Sequence, residues 1–364
     1  ALLCYGNKND WLTDFNEVII NYNKLSKIQN VLIFTNITFL NEYVQQRIKE
    51  VDTKFLIIDE AHYAGSNQLS EVLTNEYKYR LGLSATPTRY FDEEGTEKLM
   101  SFFGGTVFKY TLGEAIRDGF LTPYKYYPIK VYMTNKEYSE YEKLTNMAAS
   151  MMSNIEFKMS YQQILIKRNK IIQNAENKLN VFKEVIEEFK DKKHLLVYCG
   201  SGSNDNKKQI DLVTNLLGNE LSMKVGRYTF SETQRTKSKL LEFYKSGDIY
   251  QAIVAIKCLD EGIDIPPIRT AFILASTNNP KEFVQRRGRL LRKSENKEFS
   301  EIYDFFIVPP KIKTLFKGDK NTKSIIATEF RRLKEYYSEA LNYTDFDKLK
   351  NEIYSEFHVE GNDD

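Results

Sequence analysis

Two adjacent carboxylates, Asp59 and Glu60, close the apolar run Phe55 to Ile58 and are followed by Ala61 and His62. A strand ending on two carboxylates can present Mg²⁺ and an attacking water to a nucleotide. The first carboxylate holds the metal, usually through water, and the second takes the proton of the nucleophile. For so short a motif an equally open reading is a strand that ends on a solvated acidic turn with a histidine beside it. The rest of the chain must decide between them.

Further clusters follow in order. Ser84, Ala85, Thr86 and Pro87 end the run Leu81 to Leu83, where hydroxyls on a strand-end turn can hydrogen-bond the acidic pair; an ordinary Ser/Thr-Pro turn reads the same way. Residues Ile256 to Pro266 read I-K-C-L-D-E-G-I-D-I-P, in which Gly262 allows close backbone approach to a ligand and Asp264 can accept from a ribose hydroxyl. A plain strand-to-loop turn fits that stretch as well. Gln285 to Arg292, Q-R-R-G-R-L-L-R, concentrates four guanidiniums. Arg289 and Arg292 are three apart, so on a helix they share a face and can reach one γ-phosphate, where an arginine finger is worth about 10³ to 10⁵ in rate. Taken alone, the octamer is a generic basic patch.

Each cluster needs an element to hold it. Ala1 to Cys4, Val31 to Thr35, Phe55 to Ile58 and Leu81 to Leu83 are short runs apolar on both faces, as in buried parallel strands, and helical stretches such as Asn41 to Lys49 separate them. A second series follows: Leu195 to Cys199, Lys224 to Tyr228, Ala252 to Ile256, Thr270 to Leu274 and Ile302 to Phe306. The fold class expected is α/β, with two parallel-sheet domains. Between them, Asn135 to Phe189 lacks Gly and Pro and spaces Leu179, Phe182, Ile186 and Phe189 as a helix does. Near the end, Ile326, Phe330, Leu333, Tyr337 and Leu341 define one helical face that docks on a core, with Arg331, Arg332 and Lys334 on a solvated face.

Length and charge narrow the classes. The 364 residues suffice for two domains, and a net charge of +2 predicts no polyanion partner without local clustering. Cys4, Cys199 and Cys258 form no C-x-x-C pair and His62, His194 and His358 are scattered, which argues against zinc and for reduced thiols. No apolar run approaches the ~20 residues that span a bilayer and no signal peptide opens the chain, so a soluble cytoplasmic protein is expected.

The order of the motifs decides. D-E-A-H, S-A-T-P, E-G-I-D-I-P and Q-R-R-G-R-L-L-R, each at a strand end, resemble the motifs of superfamily 2 helicases and translocases, in the branch of XPB and its bacterial Ssl2-like relatives. That branch also includes motors of restriction and phage-defence systems. The resemblance implies two RecA-like domains with ATP and Mg²⁺ in the cleft between them. It implies Asp59 on Mg²⁺, Glu60 as general base, and His62, Ser84 and Thr86 coupling hydrolysis to nucleic acid. Gly262 and Asp264 would sit by the nucleotide, Gln285 in its network, and Arg289 and Arg292 on the transition-state phosphate. Thr35, Lys257 and Arg286 become candidates for contacts to a sugar-phosphate backbone, which position a strand without reading its sequence, or for contacts within the cleft. DNA is favoured over RNA as the partner, with no membrane, and nuclease or other subunits of a repair or defence complex are possible companions.

The resemblance also implies boundaries: 1–125 as the C-terminal part of the first RecA-like domain, 126–190 as linker and helical insertion, 191–310 as the second RecA-like domain, and 311–364 as a C-terminal helical extension. One departure matters. The sequence contains no G-x-x-x-x-G-K-[ST], and it opens on Ala1 inside an apolar run, so the expectation is a segment of a longer protein whose phosphate loop lies upstream, inactive alone. Two alternatives stay open: a non-hydrolysing nucleic-acid-binding or assembly module of this fold, and the motor part of a restriction or defence nuclease complex.

Overall fold

Every run expected to be a strand is one, within two residues at its ends. The computed structural model describes residues 2–4, 7–24, 33–35, 37–89, 92–151, 158–200, 203–204, 207–229, 231–256, 267–275 and 280–359. Contacts divide the chain into two units, Ala1–Lys109 and Tyr110–Asp364, a division that falls earlier than the expected boundary after residue 125.

In the first unit, β1 (Leu2–Cys4), α1 (Lys8–Lys24), β2 (Ile33–Thr35) and α2 (Glu42–Lys49) precede β3 (Phe55–Ile58), α3 (Asn67–Ser70), β4 (Tyr79–Gly82) and α4 (Glu93–Phe103). β1 pairs with β2 and β3 with β4, both in parallel. Trp11, Phe15 and Ile19, spaced by four along α1, bury one helical stripe against Cys4 and Val44. The expectation that β3 and β4 are covered on both faces is not met. Phe55, Ile57, Leu81 and Leu83 are exposed, while Ile58 packs with Leu99 and Phe103 of α4. Gly82 is what lets α4 come this close, because a Cβ there would lie 3.1 Å from both Ala61 Cβ and the Phe103 ring.

The second unit begins with α5 (Leu112–Arg117), started by a capping box in which Thr111 and Glu114 each bond the other's backbone N–H. β5 (Tyr124–Tyr132), α6 (Asn135–Met151), α7 (Lys158–Gln173) and α8 (Asn177–Ile186) follow. Next come β6 (Leu195–Cys199), the two-residue antiparallel pair β7 (Ser203–Asn204) and β8 (Lys207–Lys208), α9 (Gln209–Asn215), β9 (Val225–Tyr228), α10 (Gln234–Ser246) and β10 (Ala252–Ile256). β11 (Thr270–Ile273), α11 (Pro280–Leu290), β12 (Ser300–Val308), α12 (Lys320–Tyr337) and α13 (Asp345–Glu356) complete it.

Six of these strands form one parallel sheet in the order β5-β12-β11-β6-β10-β9. Alternate residues feed two cores. Leu195, Val197, Val254, Phe272 and Phe305 face Phe182 and Ile186 of α8 and Val213 of α9. Leu196, Tyr198, Ile253, Ile273 and Phe306 face Tyr244 of α10, Leu290 of α11 and Leu333 of α12. Helices on both faces explain why these strands read as continuous apolar runs.

β5 has no counterpart in the expected strands. Lys125, Pro128 and Lys130 interrupt its pattern, and proline lacks a ladder donor; the strand is tolerated because it lies at the sheet edge. Its inward tyrosines are fully buried and paired, with Tyr126 O–H donating to Asp304 Oδ2 at 2.6 Å.

The expected docking face of α12 is correct for Ile326, Phe330, Leu333 and Tyr337, but Leu341 lies beyond the helix and is exposed. Arg332, assigned above to a solvated face, is buried between Asp304 and Glu329. Its Nη2 donates to Glu329 Oε2 at 2.6 Å, and the Ile307 N–H donates to the same oxygen at 3.1 Å. The helix therefore carries its own buried charge pair onto the sheet. Removing one partner strands the other, so Arg332→Met is expected to lower unfolding stability by about 3–5 kcal/mol. Denaturant titration checks this, and a change below ~1 kcal/mol would contradict it.

Candidate active site

Parallel pairing of β3 with β4 sets Ile58 opposite Gly82, so the turns after the two strands are neighbours. Asp59 is exposed on the first turn, and its Oδ1 accepts from the Glu60 N–H at 2.8 Å. Glu60 then takes a left-handed conformation, with φ 49° and ψ 47°. Such backbone costs a non-glycine residue roughly 1–3 kcal/mol and persists only where its surroundings impose it. Here the Ala61 N–H donates to Leu83 O at 2.8 Å and the Leu83 N–H to Ile58 O at 2.9 Å, locking the two turns together.

Reversing the chain at Glu60 sends His62 inward. It is buried, its Nδ1 lies 3.2 Å from Ser84 Oγ and 3.3 Å from Glu60 Oε2, and Ser84 Oγ also accepts from the Thr86 N–H at 3.3 Å. D-E-A-H and S-A-T-P thus meet through His62 and Ser84. The expectation placed the hydroxyls on the acidic pair; the observed partner of Ser84 is the histidine. With one carboxylate exposed and another half-buried beside it, the turn suits Mg²⁺, which takes one or two carboxylates and completes its shell with phosphates and water. No group of three or more His, Cys, Asp or Glu able to hold a metal occurs among the described residues.

Three residues that support this turn escaped the sequence reading. Arg89 Nη1 donates to the His62 carbonyl, and its Nε donates to Asp92 Oδ2 at 2.6 Å. The guanidinium crosses a backbone contact between two glycines. A Cβ on Gly65 would meet Gly95 O at 2.4 Å, and one on Gly95 would meet Gly65 O at 2.7 Å. Neither glycine has a positive φ, so no turn signature marked them.

The second group lies on the other unit, at the carboxyl edge of its sheet, where open α/β sheets bind ligands. Buried Lys178 donates to Leu274 O at 2.6 Å, and burial pushes its ammonium down to about 8. Arg286 donates to Ala275 O at 3.0 Å with its guanidinium 5.0 Å from the Tyr198 ring centre. At 3% exposure it packs inside the unit, contrary to the expected backbone contact with a nucleic acid. Arg287, also buried, donates to Glu335 O at 2.6 Å and pairs with Glu335 Oε1 at 2.9 Å.

Gln285 and Arg289 lie half-buried on α11, but Arg292 lies past its end, in an isolated bridge with Leu121. Arg286, Arg287 and Arg289 occupy the second half of a helix rather than its start, and Arg289 and Arg292 do not share a helical face. Thr35 ends β2, paired with Cys4. Lys257, Gly262 and Asp264 fall outside the described residues.

Comparison with known proteins bears on the family. Residues 177–294 match the model of the helicase conserved C-terminal domain, and residues 5–89 that of the type III restriction enzyme res subunit. DNA 3'-5' translocase XPB2 of Sulfurisphaera tokodaii is 25% identical over 285 residues, covering 72% of this chain and 61% of that protein. "Putative helicase 22" of Sulfolobus islandicus filamentous virus is 25% identical over 272 residues, covering 71% of this chain and 44% of its own length. The chain thus spans between about two fifths and three fifths of these relatives. Among solved structures, the ATP-dependent type ISP restriction-modification enzyme LlaBIII bound to DNA has a TM-score of 0.55 at 15% identity, covering 96% of this chain and 26% of that one. That likeness concerns the fold.

Fold and motifs together define a chain of RecA-like α/β domains. The two family models, over residues 5–89 and 177–294, and the XPB2 relative support a superfamily 2 helicase of the XPB and restriction-enzyme type.

The tightest contact in the first group gives a direct check. Gly65→Ala forces a methyl onto a carbonyl that no rotamer change can relieve, and overpacking of this kind costs roughly 1–3 kcal/mol. Urea unfolding of the variant is expected to show that loss; an unaltered midpoint would refute the close packing.

Proposed function

We propose that the protein is an ATP-dependent, nucleic-acid-stimulated translocase. Asp59 binds Mg²⁺ through water, Glu60 is the general base, and Arg289 with Arg292 stabilises charge on the transferred phosphate. The reading includes Gly262, Asp264 and Gln285 as nucleotide-side residues and Thr35 and Lys257 as strand contacts. The observation that carries it is the His62–Ser84 contact, which ties the turn bearing both carboxylates to the end of the next strand. A change in nucleotide state at Glu60 then has a mechanical route to the S-A-T-P turn, as coupling requires.

The phosphate cradle is the part that the 364 residues do not contain as a G-x-x-x-x-G-K-[ST] element. Hydrolysis is therefore assigned to these residues working with such a loop, and the tests belong in protein that carries one. DNA is preferred over RNA as the track because a matched relative is named a DNA translocase. A motor serving a nuclease complex is a narrower form of the same reading, favoured by the match of residues 5–89 to the res-subunit model. A cytoplasmic location belongs to the proposal as well: Cys4 and Cys199 are free and buried, as suits a reducing compartment. Among the described residues, no helix is long and apolar enough to cross a membrane.

Glu60→Gln is expected to retain ATP binding while turnover falls about 10²-fold or more, the scale of general-base catalysis. Equal turnover in the variant and the parent would overturn the role of Glu60. Arg289→Ala is expected to leave DNA affinity in place and to reduce DNA-stimulated turnover by about 10³-fold. Steady-state kinetics with single-stranded DNA, duplex DNA and RNA as alternative stimulants measures both effects and selects the track.

A further inference from the structure

The end of α11 raises a question of satisfaction. The last carbonyls of a helix have no partner within it, and here they belong to the segment that carries Arg289 and Arg292. Several of them, and the carbonyls just beyond, have an identifiable donor. Arg287 O accepts from the Leu291 N–H at 3.1 Å and Arg289 O from the Arg292 N–H at 3.4 Å. Leu291 O accepts from the Thr122 N–H at 2.7 Å. Two more converge on one side chain: Lys297 Nζ donates to Leu290 O at 2.6 Å and to Arg292 O at 2.9 Å. Ser300 Oγ adds a second donor to Leu290 O at 3.0 Å.

Lys297 comes from the polar run S-E-N-K-E-F-S, a surface loop by composition. Its side chain nevertheless turns inward and is only 9% exposed. The backbone bends to allow this, with Asn296 at φ 56° and the Lys297 N–H donating to Ser294 O at 3.3 Å. A cation at a helix C-terminus is favoured by the helix dipole. Burial, and then the Arg269 charge, push the ammonium down to about 7, yet an uncharged amine still has two N–H groups for the two carbonyls. The contact is thus defined by its donors.

We infer that Lys297 is a positioning residue: by holding the carbonyls on either side of the turn from Leu290 to Arg292, it fixes where Arg289 and Arg292 present their guanidiniums. This rests on the assignment of Arg289 to the transferred phosphate. The Lys297 ammonium donates to backbone carbonyls, so its effect must pass through the arginines it orients. A small displacement suffices, because transition-state stabilisation requires donors already in place.

The test is a double-mutant cycle in protein that carries its phosphate-binding loop. Lys297→Met is expected to lower DNA-stimulated kcat by about tenfold or more, with the KM for ATP little changed. Lys297→Arg, which keeps the donors, is expected to restore most of the loss. In an Arg289→Ala background, Lys297→Met should cost clearly less than it does alone, since one of the two groups it positions is gone. Should Lys297→Met fail to fold, Lys297→Gln, whose amide sits one bond nearer the backbone and so does not hold both carbonyls as the ammonium does, carries the same cycle.

Full additivity with Arg289→Ala would make Lys297 merely structural and overturn the inference, as would an unchanged kcat in Lys297→Met or Lys297→Gln. If Arg289→Ala itself leaves stimulated turnover intact, the phosphate assignment of Arg289 is what fails.

Discussion

Buried carbonyls need donors, and in the second unit the donors are basic side chains. Lys178 serves Leu274, Arg286 serves Ala275, Arg287 serves Glu335, and Lys297 serves Leu290 and Arg292. Leaving a buried carbonyl unpaired costs about 1–3 kcal/mol, so where these carbonyls are buried the cations and the carbonyls specify each other. The consequence is positional. Arg286 ties α11 to the chain just past the end of β11, and Lys297 ties the C-terminal end of the helix to the segment before β12. The remaining tie, Arg287, reaches across to α12, which is itself anchored by Arg332 on Asp304 and Glu329.

The first unit solves a similar problem with less bulk. A left-handed Glu60 turns the chain back, His62 is received by Ser84, and Arg89 closes over a glycine-to-glycine contact. Here the constraint is space rather than hydrogen-bond supply. Gly65, Gly82 and Gly95 are each required small by something lying within about 3 Å of a Cβ they lack. Together these contacts hold the turn at Glu60 on one side while Asp59 stays open to solvent.

Much of this was legible in the sequence wherever a motif closed an apolar run. The meeting of D-E-A-H with S-A-T-P follows once consecutive runs are taken as parallel strands, because their carboxyl ends must then be neighbours. The helices from Asn135 to Phe189 were legible for the same kind of reason, through spacing and the absence of Gly and Pro. What stayed hidden was charge turned inward. Arg286, Arg287, Lys297 and Arg332 have no periodic signature that separates them from solvated residues, since their partners lie far away in sequence or on the backbone. β5 was hidden by Pro128, an interruption that only an edge position permits. The burial of Phe55 and Ile57 was overestimated, because an apolar run records what a strand can pack against and not what lies over it.

β5 has one more bearing, on what counts as a separable piece of this chain. The strand precedes α6, α7 and α8, yet it pairs with β12 along all nine of its residues, from Tyr124 opposite Ser300 to Tyr132 opposite Val308. The helical stretch therefore begins and ends in the same sheet. Tyr138 and Tyr141 of α6 and Phe182 of α8 already belong to its core. A load applied to those helices would be borne by the six-stranded sheet through a zipped edge, rather than dissipated in a hinge. Excision at residue 191 would remove that edge and strip the cover from one face; a cut near residue 110 preserves both.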